Sequence, residues 1–347
     1  MSFLEKSWLN KSPWLLLLTP LSFLFKWVAK VRRQKLEANP NRLTLSVPVI
    51  VVGNVSAGGT GKTPVVMALV KALEKKGYAP GVVSRGYGGI EREEPLLVND
   101  EVPVTQSGDE AKLIAQQCGV PVVVDVKRDR AYSYLVNEKP VDVVISDDGL
   151  QHYNLPRHVE ISVVDGQRMF GNQQVFPAGP LREPVERLVE VDFVLLNGVE
   201  GLEEEAVNSA VKMLSHYKKP QLLELTPNHF VNHVSEEKKP FAGAPFNMGN
   251  RLQAVTGLGN PERFFSLLEQ LPYTVERYPF PDHHGFSKTD FDELQLDEFQ
   301  PVVMTEKDAI KCTEFAKPNF WTLKVELELP PGFVDEVIAK IKTSTPR

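Results

Sequence analysis

Residues 53–64 read GNVSAGGTGKTP, a glycine-rich run that ends on Lys62 and Thr63. Residues of these types in this order bind phosphate. Successive backbone N–H groups at Gly58, Gly59, Thr60 and Gly61 can converge on an anion, and the positive end of a following helix adds to them. Lys62 then reaches the β- and γ-phosphates of ATP, and the Thr63 hydroxyl ligates Mg²⁺. The usual pattern has glycine where this chain has Ser56, and the Gly58-Gly59 pair supplies the flexibility instead. A second set of groups follows the apolar run VDVVIS at 141–146: the adjacent acids Asp147 and Asp148, then GLQH at 149–152. In a phosphate-loop protein an acid at that position holds Mg²⁺ directly or through water. Which of the two is the ligand is open.

These groups require a strand before the loop and a helix after it. VPVIVV at 47–52 is an apolar, β-branched run suited to a buried strand, and 65–76 carries apolar spacing near 3.6. Further short apolar runs at 81–84, 120–125, 141–146, 160–165 and 191–196 alternate with helical patterns such as 110–117. The expected fold is α/β: a doubly wound, mostly parallel sheet whose site lies at the carboxyl ends of its strands. Around 227–245 the periodicity lapses beside Pro227 and Pro240, which predicts a crossover. The expected domains are an N-terminal helix over 1–38, a phosphate-loop core over 39–226 and a smaller α/β domain over 246–347.

Other clusters are chemically suggestive and unassigned. SGDE at 107–110 precedes a helical run, so Asp109 is either an N-cap or a functional acid. FPAGPLREP at 176–184, FPDHHGF at 280–286 and TEKDA at 305–309 each place polar residues beside glycine or proline, or at a strand end.

The chain of 347 residues is 42% hydrophobic and has a formal charge of −6. Cys118 and Cys312 are far apart, which excludes a disulfide framework and a zinc motif. Residues 1–45 hold eight basic residues against Glu5 and Glu37, a local +6, so the rest of the chain carries −12. A body that acidic argues against nucleic acid as partner, and no protein partner is implied. From Trp14 to Val28 the chain is apolar, with Pro20 inside it and Lys26 near its end. The uninterrupted part is shorter than the ~20 residues that span a bilayer as a helix. A secretory signal lacks its cleavage site here, and a buried helix is the plainer alternative. The expected role is an interfacial helix, with Trp8, Trp14 and Trp27 at headgroup level and the Lys/Arg cluster on anionic lipid.

Taken together, GGTGKTP at 58–64, SRGYG at 84–88, GDE at 108–110, DDGLQH at 147–152, PAGPLREP at 177–184, Asp282-His283 and TEKDA at 305–309 resemble the tetraacyldisaccharide 4'-kinases, the lipid A 4'-kinases of Gram-negative bacteria. The resemblance implies phosphoryl transfer from ATP to the 4'-hydroxyl of an acylated disaccharide 1-phosphate lipid at the cytoplasmic face of the inner membrane. It further implies Lys62 and Thr63 on phosphate and Mg²⁺, Asp147 and Asp148 as the metal-side acids, and Asp109 as the base. His283, or its neighbour His284, orients that base. Arg85, Tyr87, Gln151, Arg182 and Glu183 line the substrate site, with Arg128 a weaker candidate for the 1-phosphate. The rival is a membrane-associated switch ATPase of the partitioning type, whose loop carries a lysine where this chain has Ala57.

Overall fold

The computed structural model describes residues 3–39, 43–90, 92–246 and 250–347. Fourteen strands are present among them: β1 Val49–Gly53, β2 Pro80–Ser84, β3 Leu96–Val98, β4 Val122–Val124, β5 Val143–Asp147, β6 Val159–Asp165, β7 Phe193–Asn197, β8 Pro220–Leu222, β9 Glu224–Asn232, β10 Lys238–Pro240, β11 Arg251–Thr256, β12 Thr274–Pro279, β13 Val302–Thr305 and β14 Phe320–Glu328. The first eight form one sheet in the order β3-β4-β2-β5-β1-β6-β7-β8, and the last six form a second in the order β10-β9-β14-β13-β11-β12. Every pairing in the first sheet is parallel except β3 with β4.

The first sheet is buried on both faces, which is why its strands read as unbroken apolar runs. Ile50 and Val52 of β1 join the core beneath helix Lys62–Lys75, whereas Val49 and Val51 join the core on the opposite face with Tyr132 and Leu135 of helix Arg128–Glu138. Alternate side chains of one strand thus secure both layers, each fully buried aliphatic contributing about 1.5–3 kcal/mol. Register then sets the site: Val52 lies opposite Asp147, and Val83 opposite Ser146. The ends of β1, β2 and β5 therefore stand abreast.

In the second sheet β12, β11, β13 and β14 are parallel, and β9 and β10 are added antiparallel. The segment 227–245, expected as a crossover, instead supplies most of β9 and all of β10. Pro227 is accommodated where the β9–β14 register shifts, between Lys324 and Val325. A proline at such an irregularity costs no ladder hydrogen bond, so it did not end the strand. The β9–β14 ribbon also joins the two cores: Leu225 and Leu327 pack in the first, Phe230 and Leu323 in the second. The last helix, Phe333–Thr343, was expected within the smaller domain. Phe333, Val337 and Ile341 instead pack in the core of the first sheet. An amphipathic pattern announces a buried face without naming the surface that covers it.

At the N-terminus a helix Phe3–Leu9 precedes a 3₁₀ stretch Pro13–Leu18 and a helix Thr19–Glu37. Pro20 lies in the first turn of the last helix, where its missing N–H is no loss, so it does not interrupt the stretch. By length and composition the 25 residues Pro13–Glu37 suffice to cross a membrane, contrary to the expectation that the apolar part is too short. The stretch is docked along one side. Ser22 Oγ accepts from the Ala178 N–H at 2.9 Å, Phe25 meets Phe176 edge-on, and Arg33 Nη2 lies 2.5 Å from Glu190. Trp8, expected at headgroup level, is 7% exposed and donates its indole N–H to the Pro177 carbonyl at 3.1 Å. Away from the docked side Leu16, Leu17, Phe23 and Trp27 stand in the open.

Candidate active site

The glycine loop connects β1 to helix Lys62–Lys75. Gly61 caps that helix with φ +80, and a Cβ there would sit 2.0 Å from Asn197 Nδ2, so only glycine fits. The loop is braced before any ligand arrives. Asn197 Nδ2 donates to the Thr60 carbonyl at 2.9 Å, Asn54 Nδ2 to Thr60 Oγ1 at 3.2 Å, and Arg168 to the Gly59 carbonyl. Gly58 lies against the Arg168 guanidinium. Lys62 and Thr63 begin the helix and are buried.

Lys62 Nζ lies 3.5 Å from Asp148 Oδ1, and Arg182 Nη1 donates to both Asp148 oxygens at 3.0 and 2.9 Å. Burial alone would raise the Asp148 carboxyl, but Lys62 and Arg182 outweigh it and hold the group well below the carboxylate range. Asp147 differs. Its Oδ2 accepts from Ser84 Oγ at 3.3 Å, while its buried Oδ1 has no hydrogen-bond partner. Burial, with Glu110 and Asp148 nearby, pushes this carboxyl up. A buried carboxylate oxygen without a hydrogen-bond partner, beside a phosphate loop, has the chemistry of a metal ligand.

Asp109 is the first residue of helix Asp109–Cys118; the N-cap is Gly108. Glycine is required there, since φ is +79 and a Cβ would come within 2.3 Å of the Tyr87 carbonyl. Relieved of capping, the Asp109 carboxylate faces the second domain. His283 Nδ1 lies 3.0 Å from its Oδ2, Lys311 Nζ 3.0 Å and Lys307 Nζ 3.7 Å. Burial would raise this carboxyl, but the His283 hydrogen bond and the two ammonium groups hold it well below the usual range. Of the two adjacent histidines, His283 is the one beside Asp109. His284 turns away to Asp290 at 3.2 Å, among Phe280 and Phe286.

The remaining predicted residues divide. Tyr87 is exposed and packs on the His283 ring at 4.6 Å, and Arg85 is exposed beside it in sequence with no ion pair among the described residues. Gln151 and Glu183 brace the loop from behind: Gln151 Nε2 donates to the Asn54 carbonyl at 3.0 Å and to Glu183 at 2.7 Å, and Tyr153 donates to Glu183. Arg128, expected as a weaker candidate for a substrate phosphate, is 1% exposed. It donates to the carbonyls of Asp125 at 2.7 Å and Asp147 at 3.2 Å. Both contacts hold strand ends together, so its guanidinium supports Asp147 from below.

A cleft of about 1130 Å³ is lined by Gly59–Thr63, Glu110, Asn260, Arg263 and Lys307 among others. The model of the tetraacyldisaccharide-1-P 4'-kinase family matches residues 14–342. The chain belongs to that family. It is 41% identical to the tetraacyldisaccharide 4'-kinase of Methylobacillus flagellatus over 98% of this chain and 96% of the relative. With the Vibrio cholerae enzyme of the same name the identity is 42%, over 98% and 96% of the two chains. A crystal structure of LpxK from Aquifex aeolicus in complex with ATP superimposes with a TM-score of 0.73 at 26% identity, covering 94% of this chain and 99% of that one. The α/β architecture expected from the strand pattern is thus that of the 4'-kinases.

Sequence reasoning assigned no role to Lys307, Lys311, Asn54, Asn197 or Arg263. Lys307 lay inside a flagged motif, but its partners are 197 and 24 residues away. Arg263 Nη2 crosses from the second domain to Asn197 Oδ1 at 3.0 Å and Glu200 at 3.0 Å, so it bears on the residue that braces Thr60. Nothing local in the sequence signals either contact.

Proposed function

We propose that this protein transfers the γ-phosphoryl group of ATP to the 4'-hydroxyl of a tetraacylated disaccharide 1-phosphate, with Mg²⁺ as the metal. The carrying observation is a cleft that the loop residues Gly59–Thr63 line together with Glu110 and Lys307, the neighbours of Asp109. The loop thus shares a cavity with two residues that flank Asp109.

On the donor wall, the backbone N–H groups of Gly58–Gly61 receive phosphate oxygens. Lys62 exchanges Asp148 for the migrating phosphoryl group, where negative charge gathers in the transition state. The residues present fit Mg²⁺: Thr63 supplies a hydroxyl and Asp147 a carboxylate oxygen without another partner. One carboxylate completed by phosphate oxygens and water is the usual way this ion is held, and bound there it offsets phosphate charge. That assignment makes Asp147 the ligand and leaves Asp148 to position Lys62 and Arg182.

On the acceptor wall, Asp109 accepts the proton of the attacking hydroxyl. Its carboxylate is a weak base, which suits a loose transition state in which the nucleophile loses its proton late. Positioning by His283 then matters more than basicity. Tyr87, Arg85 and Arg182 stand where the acceptor's polar groups would approach.

The N-terminal stretch supports a membrane position for this cleft. Its docked side stays with the catalytic domain, and its bare apolar side with Lys26, Lys30 and Arg32 suits the boundary of anionic lipid at the cytoplasmic face. The contacts of Ser22, Phe25 and Arg33 with the domain, which spanning would strip, support a peripheral, interfacial position. The test is incubation with γ-labelled ATP, Mg²⁺ and the disaccharide 1-phosphate lipid in detergent. Label appearing in lipid is expected. Hydrolysis of ATP at the same rate with and without lipid would return the chain to the switch-ATPase reading.

A further inference from the structure

Among the described residues, the first domain supplies Asp109 with one hydrogen-bond donor, the Glu110 N–H at 2.9 Å. The other polar partners of the carboxylate among them, His283, Lys307 and Lys311, come from the second domain, and the residue that organises those groups is Lys307. Its place is firmly set. Asp308 is fully buried, and its Oδ2 accepts from Thr256 Oγ1 at 2.8 Å, the Gly257 N–H at 3.1 Å and Thr305 Oγ1 at 2.7 Å. These contacts bind the ends of β11 and β13 to the first turn of the short helix Glu306–Ala309, from which Lys307 projects.

The Lys307 ammonium lies 3.2 Å from Glu110 Oε1 and 3.3 Å from His283 Nε2. Glu110, with Asp109 and Asp282 in support, outweighs burial and keeps Lys307 charged. An ammonium has donors and no acceptor. His283 Nε2 must therefore turn its lone pair to Lys307, and the imidazole carries its proton on Nδ1, the nitrogen 3.0 Å from Asp109 Oδ2. A proton on both nitrogens would face the ammonium with no acceptor between them. The other groups around this ring are Asp282, 3.8 Å from Nε2, and Tyr87, whose ring is tilted 59° against it with centroids 4.6 Å apart.

We propose that Lys307 is a positioning residue for phosphoryl transfer: it fixes His283 as the Nδ1–H tautomer, and His283 so fixed holds Asp109 in the orientation that receives the acceptor's proton. The proposal rests on the reading of Asp109 as base. It has two consequences. His283 orients Asp109 and hands no proton onward, because its outer nitrogen is occupied. The tautomer is also tied to domain apposition, since Lys307 bridges Glu110 of the first domain and His283 of the second.

The test combines spectroscopy with kinetics on the full chain. Imidazole ¹⁵N spectra of histidine-labelled protein, with His283 assigned by its disappearance in His283→Gln, are expected to show a protonated Nδ1 and a bare Nε2. Lys307→Met should lose that single pattern and lower kcat about 10- to 100-fold, less than the 10²- to 10⁴-fold a general base supplies, with KM for ATP nearly unchanged. Lys307→Gln, whose amide still donates to Nε2, should keep the pattern and most of kcat. A wild-type protein with its proton on Nε2 overturns the proposal even if the Met variant does not fold. So does a Lys307→Met protein that keeps the Nδ1–H pattern while KM for ATP rises tenfold or more, which would make Lys307 a phosphate ligand. Should Asp109→Ala retain near-normal kcat, the base reading fails separately, because the tautomer is observed without turnover.

Discussion

The two walls of the cleft are built in different ways. The donor wall is assembled by neighbours: β1, its loop and its helix are consecutive, Asp147 and Asp148 arrive on the adjacent strand β5, and Asn54 and Asn197 brace the loop. The acceptor wall is assembled at a distance, since Asp109 meets His283 across 174 residues of sequence and Glu110 meets Lys307 across 197. A wall made within one domain stays formed whenever that domain is folded. One made across a domain boundary exists only when the domains are apposed, so ATP binding and catalytic competence are expected to be separable.

The widest separation is expected from paired substitutions on the two walls. Lys62→Ala removes the cation beside the migrating phosphoryl group and should lower kcat by about 10³-fold or more in a protein that melts normally. Steady-state kinetics beside a thermal melt checks this, and near-normal turnover would remove the phosphate loop from the mechanism. Asp109→Ala should cost about 10²- to 10⁴-fold in kcat while ATP affinity by calorimetry barely moves, because the base acts on the acceptor. Loss of ATP binding in that variant would show that the walls are not independent.

The same contrast governs what could be read before the fold was known. The glycine loop, Lys62, Thr63 and the acid pair were legible because a contiguous run of residues carries the whole signal. Trp8 was misplaced since its partner, the Pro177 carbonyl, is 169 residues away. Arg128 was named as a weaker candidate for the 1-phosphate because no local pattern shows that its guanidinium is buried against the Asp125 and Asp147 carbonyls. Pro227 looked like a break because the register shift that accommodates it belongs to the pairing with β14. Asp109 and His283 were joined by family resemblance, and only coordinates separate His283 from His284.

A smaller effect tests the charge balance of the donor wall. Burial, with Glu110 and Asp148, raises the Asp147 carboxyl toward about 7, well above an unfolded aspartate. The folded protein thus binds a proton there that the unfolded chain releases, and stability falls as pH rises from about 4 to about 7. Asp147→Asn removes that penalty. Without Mg²⁺ or nucleotide, the variant's Tm should exceed the wild type's by a few degrees at pH 7, with the gap closing toward pH 4. Scanning calorimetry across that range decides it, and a gap independent of pH would mean that Asp147 is already neutralised within the protein.

The smallest effect on turnover is expected where neither wall is touched. Leu17 is 81% exposed and Phe23 69%, whereas Trp8, Ser22 and Phe25 make the contacts that dock the N-terminal stretch. Leu17→Glu with Phe23→Glu should therefore leave the docking, the fold and kcat on detergent-dispersed lipid intact. Binding to anionic vesicles should weaken at least tenfold, since each large apolar side chain buried in the interface contributes about 1.5–3 kcal/mol. Wild-type binding should also weaken as salt rises, because the Lys/Arg cluster adds roughly 1 kcal/mol per charge near an anionic surface. Deleting residues 1–37 is the harsher form of the experiment: it removes the docking contacts too, and should give an ATP-binding core that uses lipid acceptor poorly. Vesicle co-sedimentation beside detergent kinetics separates the cases. If the double glutamate variant unfolds or loses kcat in detergent, the bare face packs against the protein's own surface during catalysis, and the interfacial reading fails.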